Sequence, residues 1–190
     1  MKKFLVVIYI KFKFNFFYIK TSKMVVILIR HANDNDVDPI HRNDQELTME
    51  GKKHSIIKGR YLKKRYGNPT KVYCSTMMRA KQTSKYMLRN NEDIDVIYTN
   101  SLCRYFSSSE KMDPSLFLTT ANEDVPIYES WDEFKDRCKR FYRRMKKLNM
   151  FRSDKVYWVI THSLVINQIL RRYGKHEDKH IRFLKHYTLR

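Results

Sequence analysis

Two short apolar runs that each end in a histidine constrain this chain more than any other feature. Val25-Val26-Ile27-Leu28-Ile29 leads into Arg30-His31, and Val156-Tyr157-Trp158-Val159-Ile160 leads into Thr161-His162. Runs this short, continuous and rich in β-branched or aromatic residues read as strands buried on both faces. Each histidine then sits just past the carboxyl end of a strand. In an open parallel sheet that edge is where ligands bind, so the two histidines are expected to face one pocket.

The pattern between the runs alternates. A further strand is expected at Lys71–Cys74 and another at Ile94–Tyr98. Thr48 reads as the N-cap of a helix with Ile56, Ile57, Leu62 and Tyr66 on its apolar face, stopped by Gly67 and Pro69. Ser75 and Thr76 can cap a second helix, with Met77, Ala80, Ser84, Met87 and Leu88 inward. Ser130 and Glu133 form a capping box ahead of a stripe of Trp131, Phe134, Cys138, Phe141, Met145 and Leu148. A fourth helix runs through Leu164, Val165, Ile169, Leu170 and Tyr173 to Gly174. This alternation predicts an α/β fold, a three-layer sandwich with a mostly parallel central sheet flanked by helices. Residues 24–190 are expected to form the domain, and 99–129, which lacks periodicity, an insertion or lid over the sheet edge. The tail from Ile181 to Tyr187 adds an edge strand or a helix.

Residues 1–23 form a basic and apolar extension outside that fold. Their apolar stretch, Phe4 to Ile10, is too short to span a bilayer, which needs about 20 residues; contact with a membrane surface is the alternative reading. The chain's formal charge is +19, a field that attracts phosphorylated substrates, nucleic acid or anionic lipid. No arginine cluster interleaved with stacking aromatics signals nucleic acid specifically. Cys74, Cys103 and Cys138 are scattered with no C-x-x-C pair, which fits a reducing, intracellular and cytoplasmic setting. His176 and His180 are spaced i, i+4 without a third ligand, so they read as exposed tail residues, and no metal or other cofactor is expected. His41 and His54 read as surface residues.

A third feature belongs at the same sheet edge. The strand Lys71–Cys74 ends at Ser75, and Arg79 lies in the first turns of the next helix, where backbone amides and a planar guanidinium suit an anion. The motifs then fall into a known order. Ile27-Leu28-Ile29-Arg30-His31-Ala32 is similar to a strand followed by Arg-His-Gly, and Leu47-Thr48-Met49-Glu50-Gly51 to a Leu-Thr-x-x-Gly helix start. Ser75-Thr76-Met77-Met78-Arg79-Ala80-Lys81-Gln82-Thr83 matches Ser-x-x-x-Arg-Ala-x-Gln-Thr, and Val159-Ile160-Thr161-His162-Ser163 resembles Val-x-Thr-His-Gly. Together they resemble the histidine phosphatase, or phosphoglycerate mutase-like, superfamily across most of residues 24–174.

The resemblance implies a phosphomonoesterase that needs no metal and works through a phosphohistidine on His31, with Arg30, Arg79 and His162 lining the phosphate pocket. Asn33 and Ser163 are further candidate phosphate or substrate contacts. Three departures stand out. Ala32 and Ser163 replace glycines. Val37 stands where many relatives have Asn, leaving Asn33, Asp34, Asn35 and Asp36 as candidates for its role. Arg104, in Leu102-Cys103-Arg104, occupies the place of the usual acidic proton donor, so Glu110, Asp113, Glu123 or Glu129 would have to supply it, with Glu110 the first choice. Glu129 itself reads as part of the cap of the following helix. The expected substrate is a phosphorylated small molecule or phosphoprotein. The rivals are a phosphoglycerate mutase-type phosphotransferase and a non-catalytic pseudophosphatase that binds phosphorylated ligands.

Overall fold

The computed structural model describes residues 25–34, 45–89, 91, 93–107, 128–151, 155–175 and 180–189. The expected N-terminal extension, most of the 99–129 segment with Glu110, Asp113 and Glu123, and also Asn35, Asp36, Val37, His41 and His176, lie outside the described residues. In chain order the elements are β1 (Val25–Arg30), α1 (Met49–Tyr66), β2 (Lys71–Cys74), α2 (Met78–Met87), β3 (Val96–Tyr98), a 3₁₀ turn (Asn100–Leu102), β4 (Phe106–Ser107), β5 (Tyr128–Glu129), α3 (Trp131–Lys147), β6 (Val156–Thr161), α4 (Ser163–Arg172) and β7 (His186–Leu189).

Five strands form one sheet in the order β3-β2-β6-β1-β7. All neighbours are parallel except β7, which runs antiparallel along β1. The tail therefore supplies an edge strand. The sheet is covered on both faces, and the alternation of side chains along each strand shows how. Val26 and Leu28 point into a core with Phe134, Cys138 and Phe141 of α3 and Val165, Ile166 and Ile169 of α4. Val25, Ile27 and Ile29 point the other way, towards Leu62 of α1 and Ala80 and Met87 of α2. Strands buried on both sides need apolar residues at every position, which is why β1 and β6 read as unbroken runs.

The helix faces differ in places from expectation. Along α1 the buried positions are Gly51, Ser55, Gly59 and Leu62, while Ile57 is exposed. The inward face is thus made of small residues, because α1 packs backbone-close against its neighbours: a Cβ on Gly59 would sit 2.1 Å from the Met87 carbonyl oxygen, and one on Gly51 2.2 Å from that of Asn33. Helix α2 begins one or two residues later than expected. Its N-cap is Met77, without a side-chain cap, and the Ser75 hydroxyl accepts from the Met77 N–H at 3.3 Å. In α3 the capping box of Ser130 and Glu133 forms as expected. The ends of its stripe, Trp131 and Leu148, remain partly exposed, whereas Arg137 is buried on the same face.

Gly59→Ala is expected to destabilise the fold by about 1–3 kcal/mol, the usual cost of overpacking, because the clash is with backbone that cannot swing aside. Urea unfolding followed by circular dichroism measures this; Gly67→Ala, whose Cβ would meet no atom within 4 Å, separates packing from the backbone strain of its positive φ.

Candidate active site

Register brings the site together. In the parallel pair β1–β6, Arg30 lies opposite Thr161, so His31 and His162 leave adjacent strands at the same level. The His31 N–H donates to the Thr161 carbonyl at 2.9 Å and the Ser75 N–H to that of Ile160 at 3.0 Å. Three strand ends are therefore stitched side by side, and their next residues share one pocket. The rings of His31 and His162 are 5.0 Å apart between centroids.

His31 is buried. Its Nδ1 lies 2.8 Å from its neighbour's carbonyl, that of Ala32. A carbonyl only accepts, so Nδ1 carries the proton and Nε2 keeps its lone pair. Among the described residues Nε2 makes no hydrogen bond. Burial above all, then the charges of Arg79 and Arg30, hold the proton affinity of His31 well below the ordinary imidazole range. His162 is pushed the same way by burial first, then by Arg79 and His31. Its Nε2 lies 3.0 Å from the Ser75 hydroxyl, and its Nδ1 is buried without a hydrogen-bond partner among the described residues.

Arg79 is buried and faces Asp34, whose carboxylate lies 3.5 Å from its Nε and 4.0 Å from His31 Nδ1. Of the residues proposed from sequence around the missing Asn, Asn33 and Asp34 lie among the described residues, and the Asp34 carboxylate reaches the site. Asn33 contributes its backbone, its carbonyl accepting from the Thr48 N–H at 3.1 Å. Arg30 Nη1 donates to the Ile181 carbonyl and lies 2.8 Å from His180 Nε2, and its guanidinium stacks 4.0 Å over the Phe183 ring. Phe183 in turn meets His31 edge-on. The Ser163 hydroxyl accepts from the Ile181 N–H at 3.1 Å, tying this tail segment to α4. His180, read from sequence as a bland tail residue, is exposed yet belongs to the site's wall.

The rest of the Arg-Ala-x-Gln-Thr segment positions these groups. The Thr83 hydroxyl donates to the Arg79 carbonyl at 2.7 Å and accepts from the Ala32 N–H at 2.9 Å. Gln82 accepts from the Leu47 N–H at 2.8 Å. Helix α2 thereby grips the loop that follows His31 from both ends. Glu129 does not cap α3. It forms a buried ion pair with Arg137, a residue missed from sequence because one arginine beside an apolar stripe looks like helix surface. Ser130 and Glu133 do the capping.

Among the described residues no cluster of His, Cys, Asp and Glu suits a metal ion, and no helix is long and apolar enough to cross a membrane. The arrangement combines a neutral imidazole with a free ring nitrogen, a second buried imidazole and two buried guanidiniums. It suits a tetrahedral oxyanion and offers that oxyanion a nucleophile.

The profile of the histidine phosphatase superfamily (branch 1) matches residues 26–189, and the chain belongs to that family. A comparison with curated protein sequences returned no match. Among solved structures, the fold is similar to the ecdysone phosphate phosphatase from Bombix mori in complex with tungstate, with a TM-score of 0.65 and 14% identity over 88% of this chain and 89% of that one. It is also similar to the mycobacterial glucosyl-3-phosphoglycerate phosphatase Rv2419c in complex with VO3, with a TM-score of 0.65 and 14% identity over 88% and 91% of the two chains. Bacillus stearothermophilus YhfR gives a TM-score of 0.65 and 15% identity over 87% and 90%. These likenesses show a phosphoglycerate mutase-like fold.

Because folding lowers the proton affinity of His31, His162 and also His186, which burial and Lys58 bring down to about 4, the unfolded chain binds these protons first. Their contribution is complete above the unfolded value of 6.5 and is lost as pH falls below it. The urea midpoint is expected to drop steadily from pH 7 to pH 5. In NMR spectra at pH 6 the ring signals of His31 and His162 should remain those of neutral imidazoles, with His31 as the Nδ1–H tautomer. A His31 ring protonated at that pH would contradict the electrostatic account.

Proposed function

We propose that this protein is a metal-independent phosphomonoesterase that works through a phosphohistidine on His31. The observation that carries the reading is the hydrogen bond from His31 Nδ1 to the Ala32 carbonyl, which leaves Nε2 unprotonated beside Arg79, Arg30 and His162. Membership of a phosphatase superfamily supports it. So do the tungstate and VO3 bound by two proteins of similar fold, since both oxyanions resemble a phosphoryl group in transfer.

In this reaction Nε2 attacks phosphorus in line with the ester oxygen. The P–O bond breaks, its electron pair leaves with the alcohol oxygen, and a P–N bond forms. The ring keeps its Nδ1 proton and becomes a cation, which the Ala32 carbonyl and the Asp34 carboxylate stabilise. Arg79 and Arg30 meet the charge on the equatorial oxygens. With the Ser75 hydroxyl donating to His162 Nε2, His162 Nδ1 bears the proton and can donate it to a phosphoryl oxygen. Water then attacks phosphorus, the P–N bond breaks, and neutral His31 and inorganic phosphate are regenerated. The leaving alkoxide takes its proton from water or from a carboxylic acid; Glu110 is the first candidate, and Glu129 is committed to Arg137. The substrate is a phosphorylated small molecule or phosphoprotein.

The full chain is expected to hydrolyse phenyl phosphate in the presence of a chelator and to yield an acid-labile phosphoprotein on rapid quenching with labelled substrate. His31→Ala should abolish both signals. Arg79→Ala should lower kcat/KM by on the order of 10²–10³, the usual loss for an oxyanion-stabilising donor. Turnover that survives in His31→Ala, or that requires a divalent cation, would overturn the reading.

A further inference from the structure

Residues 180–185, which lead into β7, grip Arg30 and His31 from the tail side. The Arg30 N–H donates to the Lys185 carbonyl at 3.1 Å, the Leu184 N–H to the His31 carbonyl at 3.3 Å and the Ile181 N–H to the Ser163 hydroxyl at 3.1 Å. Leu184 takes a φ of 53°, which bulky residues rarely adopt, and its side chain packs against the core on the α1 and α2 side of the sheet. The segment is therefore anchored on β1, on α4 and in the core. From it, three neutral groups reach the Arg30 guanidinium. They are the Ile181 carbonyl, the Phe183 ring at 4.0 Å and the His180 imidazole, whose Nε2 lies 2.8 Å from Nη1.

Hydrogen-bond chemistry fixes the state of that imidazole. A guanidinium donates and never accepts. Nη1 therefore gives protons to two acceptors, the Ile181 carbonyl and His180 Nε2. His180 is neutral in this contact, with its proton on Nδ1. The two N–H bonds of one Nη lie in the guanidinium plane, and Phe183 lies against its face. Together these partners set both the plane and the rotation of the fork. Arg79, by contrast, is aligned by the Asp34 carboxylate. Of the three groups on Arg30, the carbonyl belongs to anchored backbone and the Phe183 ring also meets His31. His180 is exposed and bonds through its side chain, so it can be exchanged without disturbing the core.

We propose that His180 is a positioning residue for Arg30: as a neutral acceptor it turns the guanidinium so that the fork meets the phosphoryl oxygens beside His31. The proposal rests on the phosphatase reading for the identity of that oxyanion. It differs from a general attraction between cations and phosphate in one respect. A positive charge placed at position 180 cannot accept from Nη1, so it should weaken the grip on phosphate and not strengthen it.

Calorimetric binding of inorganic phosphate to the full chain tests this, alongside phenyl phosphate hydrolysis, in variants whose fold is checked by circular dichroism. His180→Ala is expected to raise the phosphate Kd about tenfold, within the range of coupling between residues in contact, and KM should rise with it. His180→Gln, whose amide oxygen can accept from Nη1, should recover most of the loss. His180→Lys should bind phosphate no better than His180→Ala. In whichever of Arg30→Met and Arg30→Ala folds, removing the imidazole of His180 should cost nothing further. Unchanged phosphate affinity in His180→Ala overturns the proposal. So does binding by His180→Lys as tight as the parent's, or an equal loss with and without Arg30. A fall in kcat alone, with phosphate binding intact, also overturns it and makes His180 a group that acts on the leaving alcohol. Absence of phosphate binding by the parent at millimolar concentration overturns it outright. Failure of the phosphatase reading is separately visible, as absent phenyl phosphate turnover or turnover that persists in His31→Ala, while phosphate binding still reports on His180.

Discussion

Everything at the candidate site depends on the register of one parallel strand pair. With Arg30 opposite Thr161, the next residues of β1 and β6 are both histidines, and their rings come within 5.0 Å. A slip of one residue would turn every side chain of one strand to the opposite core. It would exchange Val26 and Leu28, packed on α3 and α4, with Ile27 and Ile29, packed on α1 and α2. Both faces are apolar, so hydrophobicity alone resists such a slip only weakly. The large fully buried Trp158 among the β6 residues on one face, and the hydrogen bonds beyond the strand ends, add the shape and polar specificity that a two-sided apolar strand lacks.

Those bonds come from residues that flank the two histidines. Thr83 spans from the Arg79 carbonyl to the Ala32 N–H, Gln82 holds Leu47, and Asn33 accepts from Thr48. Gly51 lets α1 come so close to Asn33 that a methyl group would not fit. The loop after the nucleophile candidate is thus gripped from two helices. A pocket must hold its groups to within a fraction of an ångström for in-line transfer, and these ties meet that demand by fixing the backbone around the loop.

The sheet, its layers and the four central residues of the pocket were legible in the sequence, because buried strands write themselves as unbroken apolar runs and their ends are marked by Arg30-His31 and Thr161-His162. The inward face of α1 was not legible. Helical periodicity scores large apolar residues, whereas this interface is built from Gly51, Ser55 and Gly59. Nor was the Arg137–Glu129 pair, since burial of an arginine depends on carbonyls that only the fold delivers. His180 and Phe183 were illegible for a related reason. The tail reaches Arg30 by running antiparallel along β1, and a short segment of mixed polar and apolar residues carries no signal of which strand it will join. Asp34 was one of four neighbouring candidates, and the sequence carries no sign that its carboxylate meets Arg79.

Charge links the two properties that the proposed chemistry requires. An imidazole must be neutral to attack, and a phosphate dianion must find cations. Burial together with Arg79 and Arg30 keeps His31 neutral, so the groups that would bind the anion also free the nucleophile's lone pair. The arriving phosphoryl group would then offset that positive field at the moment His31 begins to acquire charge, and Asp34 lies on the Nδ1 side, where the new cation forms. The cost is two buried arginines that must be held without solvent. Asp34 answers for Arg79, while Arg30 is held by the Ile181 carbonyl and the Phe183 ring. Among the partners of Arg30, a carbonyl and an aromatic face hold the guanidinium in place without bringing a formal charge that would compete with phosphate.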